Sequence, residues 1–293
     1  MRILLTGTGG VIGAALRARF ADAGHELLVL ARTPKPPGSI ACDFENITDE
    51  VAEKIIRFAP QVAMHPGWAG TANTERNAPR LLAINTNAAM RLLEIAARAG
   101  CARWIGFGSQ AEYAPMLHEP IAETAPTEPQ DNYGRAKLAL YHAQAEYARA
   151  QGVEFVWLRP FACYGKNYSP TYVIPYLIGL LRRGEMPELK TPHAVWDYLH
   201  AEDAAEAVAS IAAAPTAGGI YNLASGIGVS VGEMAMILAD KIGFAKKTEF
   251  AAQIKANAAA PTYRVADIAK ISADFGWRPR ISIEEGLARC LTY

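Results

Sequence analysis

The chain has 293 residues, 51% of them hydrophobic and 20% charged, and its 29 basic and 29 acidic residues give a formal net charge of zero. That length holds either one large α/β domain or a domain with a smaller appendage, and a neutral chain offers no electrostatic footprint for nucleic acid or an anionic membrane. No apolar run approaches the roughly 18 residues of a membrane span, the N-terminus enters a strand pattern without the marks of a signal peptide, and neither cysteines nor histidines show metal-type spacing, so we expect a cytoplasmic protein with reduced thiols and no metal.

The first apolar run, RILLT (2–6), reads as a strand buried on both faces. It is followed at once by Gly7, Gly10 and Gly13 and then by the helical stretch VIGAALRARFADAG. Glycines at this junction permit a tight turn, admit a pyrophosphate to the backbone and let helix and strand pack closely. The helix N-terminus adds free N–H groups and a partial positive charge. The second strand, ELLVLA (26–31), ends in Ala31 and Arg32 with no acidic residue. A carboxylate there would bind the ribose 2′-hydroxyl of NAD, whereas an arginine suits the 2′-phosphate of NADP, so we expect NADP(H) to be preferred, with NAD(H) possible. Asp43 and Phe44, after the short strand SIAC, are placed to touch the adenine.

Further strands follow at QVAMH (61–65), RWIGF (103–107) and EFVWLR (154–159), separated by the alanine-rich helices NTNAAMRLLEIAARAG and YGRAKLALYHAQAEYARAQG, which end in Gly100 and Gly152 as helices often do. Strand and helix alternating in this way predict a doubly wound parallel sheet. In DNYGRAKLA, Tyr133 and Lys137 stand one helical turn apart on a shared face. An ammonium there lowers the pKa of a phenol and makes it usable for proton transfer. After residue 165 prolines interrupt the rhythm and the elements shorten: a helix near 173–184, YLH (198–200), a helix over 202–213 and IYNLA (220–224), which we assign to a smaller lobe.

These motifs resemble, nearly end to end, the extended short-chain dehydrogenase/reductases of the NAD(P)-dependent epimerase/dehydratase type that handle nucleotide sugars. TGTGGVIG is similar to the family's TGxxGxxG, INTNAAMRLLEIAARAG to its asparagine-bearing helix with Asn85 in place, YGRAK to YxxxK and LRPFACYG to LRxxNxYGP. VIPYLI, WDYLHAEDAAEA, YNLASG and RVADIAKI resemble its C-terminal signatures. The resemblance implies a Rossmann domain over 1–165 and a mainly substrate-binding lobe over 166–293, from which some segments return to the first domain. It implies a catalytic set of Ser109, Tyr133 and Lys137 with Asn85, and often dimers through the two long central helices. It also implies a cofactor site of Thr6, Gly7, Gly10, Val11, Ile12, Gly13, Arg32, Asp43, Phe44, His65, Tyr133, Lys137 and Pro160.

On the substrate side the resemblance points to Ser109 and Gln110, joined by Lys166, Arg183 and Trp196. The 4,6-dehydratases carry Asp-Glu after the serine, and here Gln110 and Ala111 cannot titrate. Glu112, on an extended segment, is expected to face away. We therefore expect a reductase or dehydrogenase acting at a keto group of a nucleotide-linked deoxysugar, with an epimerase recycling its cofactor as the first alternative and a non-sugar carbonyl reductase as the second. A dinucleotide-sensing protein without turnover is the reading from another class. Ala162 replaces the family's asparagine, and Trp196 stands where many members have a diphosphate-binding arginine. Lys166, Arg182, Arg183 and Arg264 could rebuild that anion site, and Trp68 or Trp196 could stack on a base or sugar.

Overall fold

The apolar runs become parallel strands because each buries side chains on both faces. In a computed structural model, which describes residues 1–33, 38–70, 75–115 and 119–293, every residue of β4 (Val62–His65) and β5 (Arg103–Phe107) is buried, as are four of the five in β1 (Arg2–Thr6). With β2 (Glu26–Ala31), β3 (Ile40–Ala41), β6 (Glu154–Pro160) and β9 (Gly219–Leu223) they form a seven-stranded sheet in the order β3-β2-β1-β4-β5-β6-β9, every pairing parallel. The strand order reverses beside β1, where ligands bind in such sheets.

Alternating side chains serve two cores. On one face Ile3, Leu5, Ile105 and Phe107 pack against Leu16 and Phe20 of α1 (Val11–Asp22) and against Ala204 and Val208 of α6 (Ala201–Ala213). On the other, Leu4, Ala63 and Trp104 meet Ile55 of α2 (Asp49–Phe58) and Leu92 of α3 (Pro79–Arg98). The helix α4 (Asn132–Gln151) lies against α3 and β6. Gly24, Gly100 and Gly152 all adopt positive φ past helix ends, as their placement predicts.

The remaining elements build a second sheet. β8 (Val195–His200) is flanked by β7 (Ala162–Tyr164) along its second half, and by antiparallel β10 (Gly228–Ser230) and parallel β11 (Tyr263–Arg264) along its first. Around it α5 (Val173–Arg182), α7 (Val231–Ile242), α8 (Lys247–Ala256) and α10 (Ile283–Cys290) close a third core, while α9 (Ala269–Phe275) returns to the large sheet beside β9 and α6. The helix at 202–213 and the strand IYNLA, read with the short elements of the lobe, are among the segments that return to the large sheet: α6 packs on α1, and β9 pairs with β6. Local pattern identifies a buried strand but not its partner. Among the described residues no helix is long and apolar enough to cross a membrane, and all four cysteines are free thiols.

Asp197 ties the lobe together. Its fully buried carboxylate accepts from Ser225 N (2.6 Å), Ser225 Oγ (2.7 Å) and Gly226 N (2.8 Å), joining β8 to the turn that precedes β10. Replacing it strands several donors in the interior. We predict that Asp197→Ala lowers unfolding free energy by about 3 kcal/mol in urea titrations, and that Asp197→Asn, which keeps an acceptor, costs clearly less.

Candidate active site

The glycine loop separates steric need from ligand need. Gly7 has φ +65°, and a Cβ on it would lie 2.5 Å from Gly67 N; one on Gly13 would lie 2.2 Å from Gly7 O. Those two glycines are required by the protein's own packing. Gly10 is different: a Cβ there would meet nothing closer than 3.6 Å, and Gly9 faces open space. Gly10 also caps α1 without any side-chain hydrogen bond, which leaves the first-turn amides of Val11 and Ile12 pointing along the helix axis. A cradle open at Gly9 and Gly10, over an uncapped helix N-terminus, fits the pyrophosphate of a dinucleotide.

The other expected cofactor residues lie along the same edge. Arg32 follows β2 and is exposed, and among the described residues it makes no hydrogen bond or ion pair. Asp43 is exposed and its Oδ1 accepts from Glu45 N, while the Phe44 ring is 6.0 Å from that of His65. His65 ends β4 and hydrogen-bonds Thr6 Oγ1 at 2.6 Å; burial brings its pKa down to about 3, so the ring is neutral. Pro160 ends β6 at the same edge.

Ser109 follows β5 and caps a 3-10 turn, Gln110–Glu112. Its hydroxyl accepts from Ala111 N (3.1 Å), and its side chain lies near enough to the Tyr133 phenol to favour the ionised form. Tyr133 opens α4, where its N–H donates to Asn77 Oδ1 (2.9 Å). One turn on, Lys137 is buried; its Nζ donates to Phe107 O (2.6 Å) and lies 3.6 Å from the centre of the Trp68 ring, against 5.8 Å from that of Tyr133. Burial lowers the Lys137 pKa to about 7 and pushes Tyr133 up to about 12. The phenol expected to be acidified by Lys137 is therefore raised instead. The forces opposing burial come from Arg76, whose guanidinium carbon is 4.2 Å from the ring centre, and from Ser109.

Glu112 departs from expectation. The backbone after Ser109 is a turn and not an extended segment, so Glu112 swings inward, fully buried. Its carboxylate accepts from Ser109 N (2.8 Å), Trp157 Nε1 (3.1 Å) and Arg159 Nε (2.8 Å). The missed signal was local: S-x-x-E is a capping box, and both of its bonds are present.

Asn85 holds a loop: its amide accepts from Ala69 N (2.8 Å) and donates to Ala69 O (2.9 Å), seating the segment that carries Trp68. Gln110 Oε1 is buried without a partner among the described residues. The other substrate candidates are not drawn to Ser109 by any contact among the described residues. Arg183 forks onto Glu185 at the exposed end of α5, Lys166 is exposed, and Trp196 packs on the lobe core. Arg76, Glu112 and Arg159 are the neighbours that sequence reasoning did not assign to the site.

A glycine cradle and a Ser-Tyr-Lys set on one sheet edge define a dinucleotide-dependent short-chain dehydrogenase/reductase architecture. Residues 3–224 match the NAD dependent epimerase/dehydratase family, and the chain belongs to it. It is 26% identical to the UDP-glucose 4-epimerase of Corynebacterium glutamicum, covering 95% of this chain and 91% of that protein. It is 24% identical to the GDP-L-fucose synthase of Sinorhizobium fredii, covering 98% and 93%. A dTDP-glucose 4,6-dehydratase of Actinoplanes sp. is 25% identical over 69% of this chain and 63% of that one. Among solved structures, the Thermus thermophilus UDP-glucose 4-epimerase in complex with NAD superposes with a TM-score of 0.84 at 25% identity, covering 100% of this chain and 98% of that one.

The two kinds of glycine should separate in experiment. Gly13→Ala forces a clash inside the loop and is expected to destabilise the protein by about 1–3 kcal/mol. Gly10→Ala should leave the melting temperature unchanged yet weaken dinucleotide binding about tenfold, through loss of close backbone approach worth about 1.5 kcal/mol. Thermal melts and fluorescence titration with reduced dinucleotide check both.

Proposed function

We propose that this chain is an NAD(P)-dependent reductase or dehydrogenase acting at a keto group of a nucleotide-linked deoxysugar. The observation that carries this reading is the nearness of Ser109, at the end of β5, to the buried Tyr133 at the start of α4, on the same sheet edge as a cradle shaped for a pyrophosphate. A dinucleotide held over Gly9, Gly10 and the N-terminus of α1 would supply or accept the hydride. Ser109 donates to the substrate oxygen and fixes its position, Tyr133 gives or takes the proton of that oxygen, and Lys137 binds ribose hydroxyls. Dehydration would need an acid and a base beside Ser109. Gln110 and Ala111 can be neither, and Glu112 is held in its pair with Arg159.

A nucleotide-sugar epimerase is the second reading, favoured by the likeness to the C. glutamicum enzyme. The two part on one assay: an epimerase interconverts stereoisomers without added cofactor, whereas a reductase consumes reduced dinucleotide in proportion to product. We further propose a cytoplasmic homodimer. An apolar groove of about 360 Å³ between α3 and α4, lined by Leu82, Met90, Ala139 and Leu140, supports that arrangement.

Tyr133→Phe removes the proton carrier and keeps the ring. It should lower kcat by about 10²–10⁴-fold with dinucleotide affinity nearly unchanged, and Ser109→Ala should cost less. Steady-state kinetics on nucleotide-4-ketosugars decide this, and a Tyr133→Phe enzyme with most of its activity would remove Tyr133 from the mechanism.

Arg32, which pairs with no group among the described residues and stands beside Ala31, supports NADP(H). NADPH should bind about tenfold more tightly than NADH, since a charge-assisted bond is worth about 1.5–3 kcal/mol. Arg32→Ala should erase that preference and leave NADH binding unchanged. Equal or tighter NADH binding by the unsubstituted protein would overturn the assignment.

A further inference from the structure

The proton carrier proposed above is surrounded by unlike groups. Facing Tyr133 are Ser109 from the end of β5, Glu112 from the 3-10 turn, Tyr172 from the segment before α5, and Lys137 and Trp68 from the interior side. Over its ring lies Arg76, from the segment before α3. Burial, Glu112 and Tyr172 all favour the neutral phenol, and Arg76 is the nearest cation opposing them.

Two features make Arg76 more than a passing surface side chain. It is fixed on the N-terminus of α4: its Nε lies 3.3 Å from Asp131 Oδ2, the other oxygen of Asp131 accepts from Gly134 N (2.8 Å), and the adjacent Asn77 binds Tyr133 N. One short segment thus grips Asp131 through Arg76 and the backbone of Tyr133 itself through Asn77. Its charge is also permanent. Lys137 is turned towards Phe107 O, and with a pKa near 7 it carries its charge only in part at neutral pH; a guanidinium stays protonated throughout. Among the described residues the buried Nε makes no hydrogen bond despite the nearby carboxylate, so the guanidinium retains donor capacity there.

We propose that Arg76 is a positioning residue for Tyr133, clamped by Asp131 over the ring so that its fixed positive charge stabilises the phenolate form of the proton carrier. The proposal rests on the reading of Tyr133 given above, and its test keeps the two apart. A ring-fluorinated tyrosine in place of Tyr133 gives a phenol whose ionisation is read by absorbance at accessible pH, without substrate or turnover. Arg76→Met should raise that ionisation midpoint by about one unit, in the direction expected for removal of a cation within about 4–6 Å, and Arg76→Lys should restore most of it. The oxidative pH–rate profile should move upward with it, because the active form is the phenolate.

Melting curves and dinucleotide titration of Arg76→Met should match the parent protein. If that variant melts early, the unsubstituted protein still answers: added salt screens the half-exposed guanidinium and should move the midpoint upward. A midpoint that shifts while the rate profile stays put supports the Arg76–Tyr133 coupling and refutes Tyr133 as proton carrier. A midpoint indifferent to Arg76→Met, or in the absence of a folded variant indifferent to salt, overturns the proposal.

Discussion

The carboxylate of Glu112 accepts from the backbone of Ser109, the indole of Trp157 and the guanidinium of Arg159, all without exposure to solvent. A buried carboxylate is stable only when it is paired and its lone pairs are satisfied, and here three donors from two neighbouring strand ends do so. The consequence is positional. Position 108 has room only for glycine, since a Cβ there would sit 2.1 Å from Glu112 Oε1; past it the chain turns and leaves the Ser109 hydroxyl at the sheet edge. Arg159 in turn lies under the Tyr113 ring, whose hydroxyl donates to Asn222 on β9. One anion thus sets the ends of β5 and β6 against β9, and the Ser109 hydroxyl inherits its position from that arrangement.

Burial is the dominant electrostatic force along this edge. It holds His65 neutral, takes Lys137 down to about 7 and pushes Tyr133 up to about 12, in each case favouring the uncharged form. The proton transfer proposed for Tyr133 would therefore depend, near neutral pH, on charges able to counter desolvation. The Trp68 indole covers the Lys137 ammonium, and Asn85 holds that indole's segment by both atoms of its amide. A residue expected in the catalytic set thus acts one step back, by shaping what covers the lysine.

Steric constraint on the cofactor side works in the same indirect way. Gly7 allows the loop after β1 to pass within contact of Gly67 after β4, and Gly13 lets α1 start against Gly7 O. Those approaches draw adjacent strand ends together and leave Gly9 and Gly10 facing outward over the helix terminus. The lobe is anchored separately, through Asp197 and the β7–β8 pairing, so the proposed substrate and cofactor sides rest on different cores.

Much of this was legible in the chain itself. Continuous apolar runs of five or six residues, glycine-ended helices and their alternation determined a doubly wound sheet. The spacings of Gly7, Gly10 and Gly13, and of Tyr133 and Lys137, determined which strand ends bear the chemistry, because these are local periodicities set by covalent geometry. What the tertiary structure decided were relations between segments far apart in sequence. IYNLA and 202–213 joined the large sheet because an apolar strand carries no mark of its partner. Arg183 went to Glu185 and Trp196 to the lobe core because a side chain's neighbours depend on packing and not on residue type. Arg76 came to rest over Tyr133 and Glu112 turned into Arg159 because burial makes each charge seek the partner that the fold brings within a few ångströms, and no sequence spacing encodes that distance.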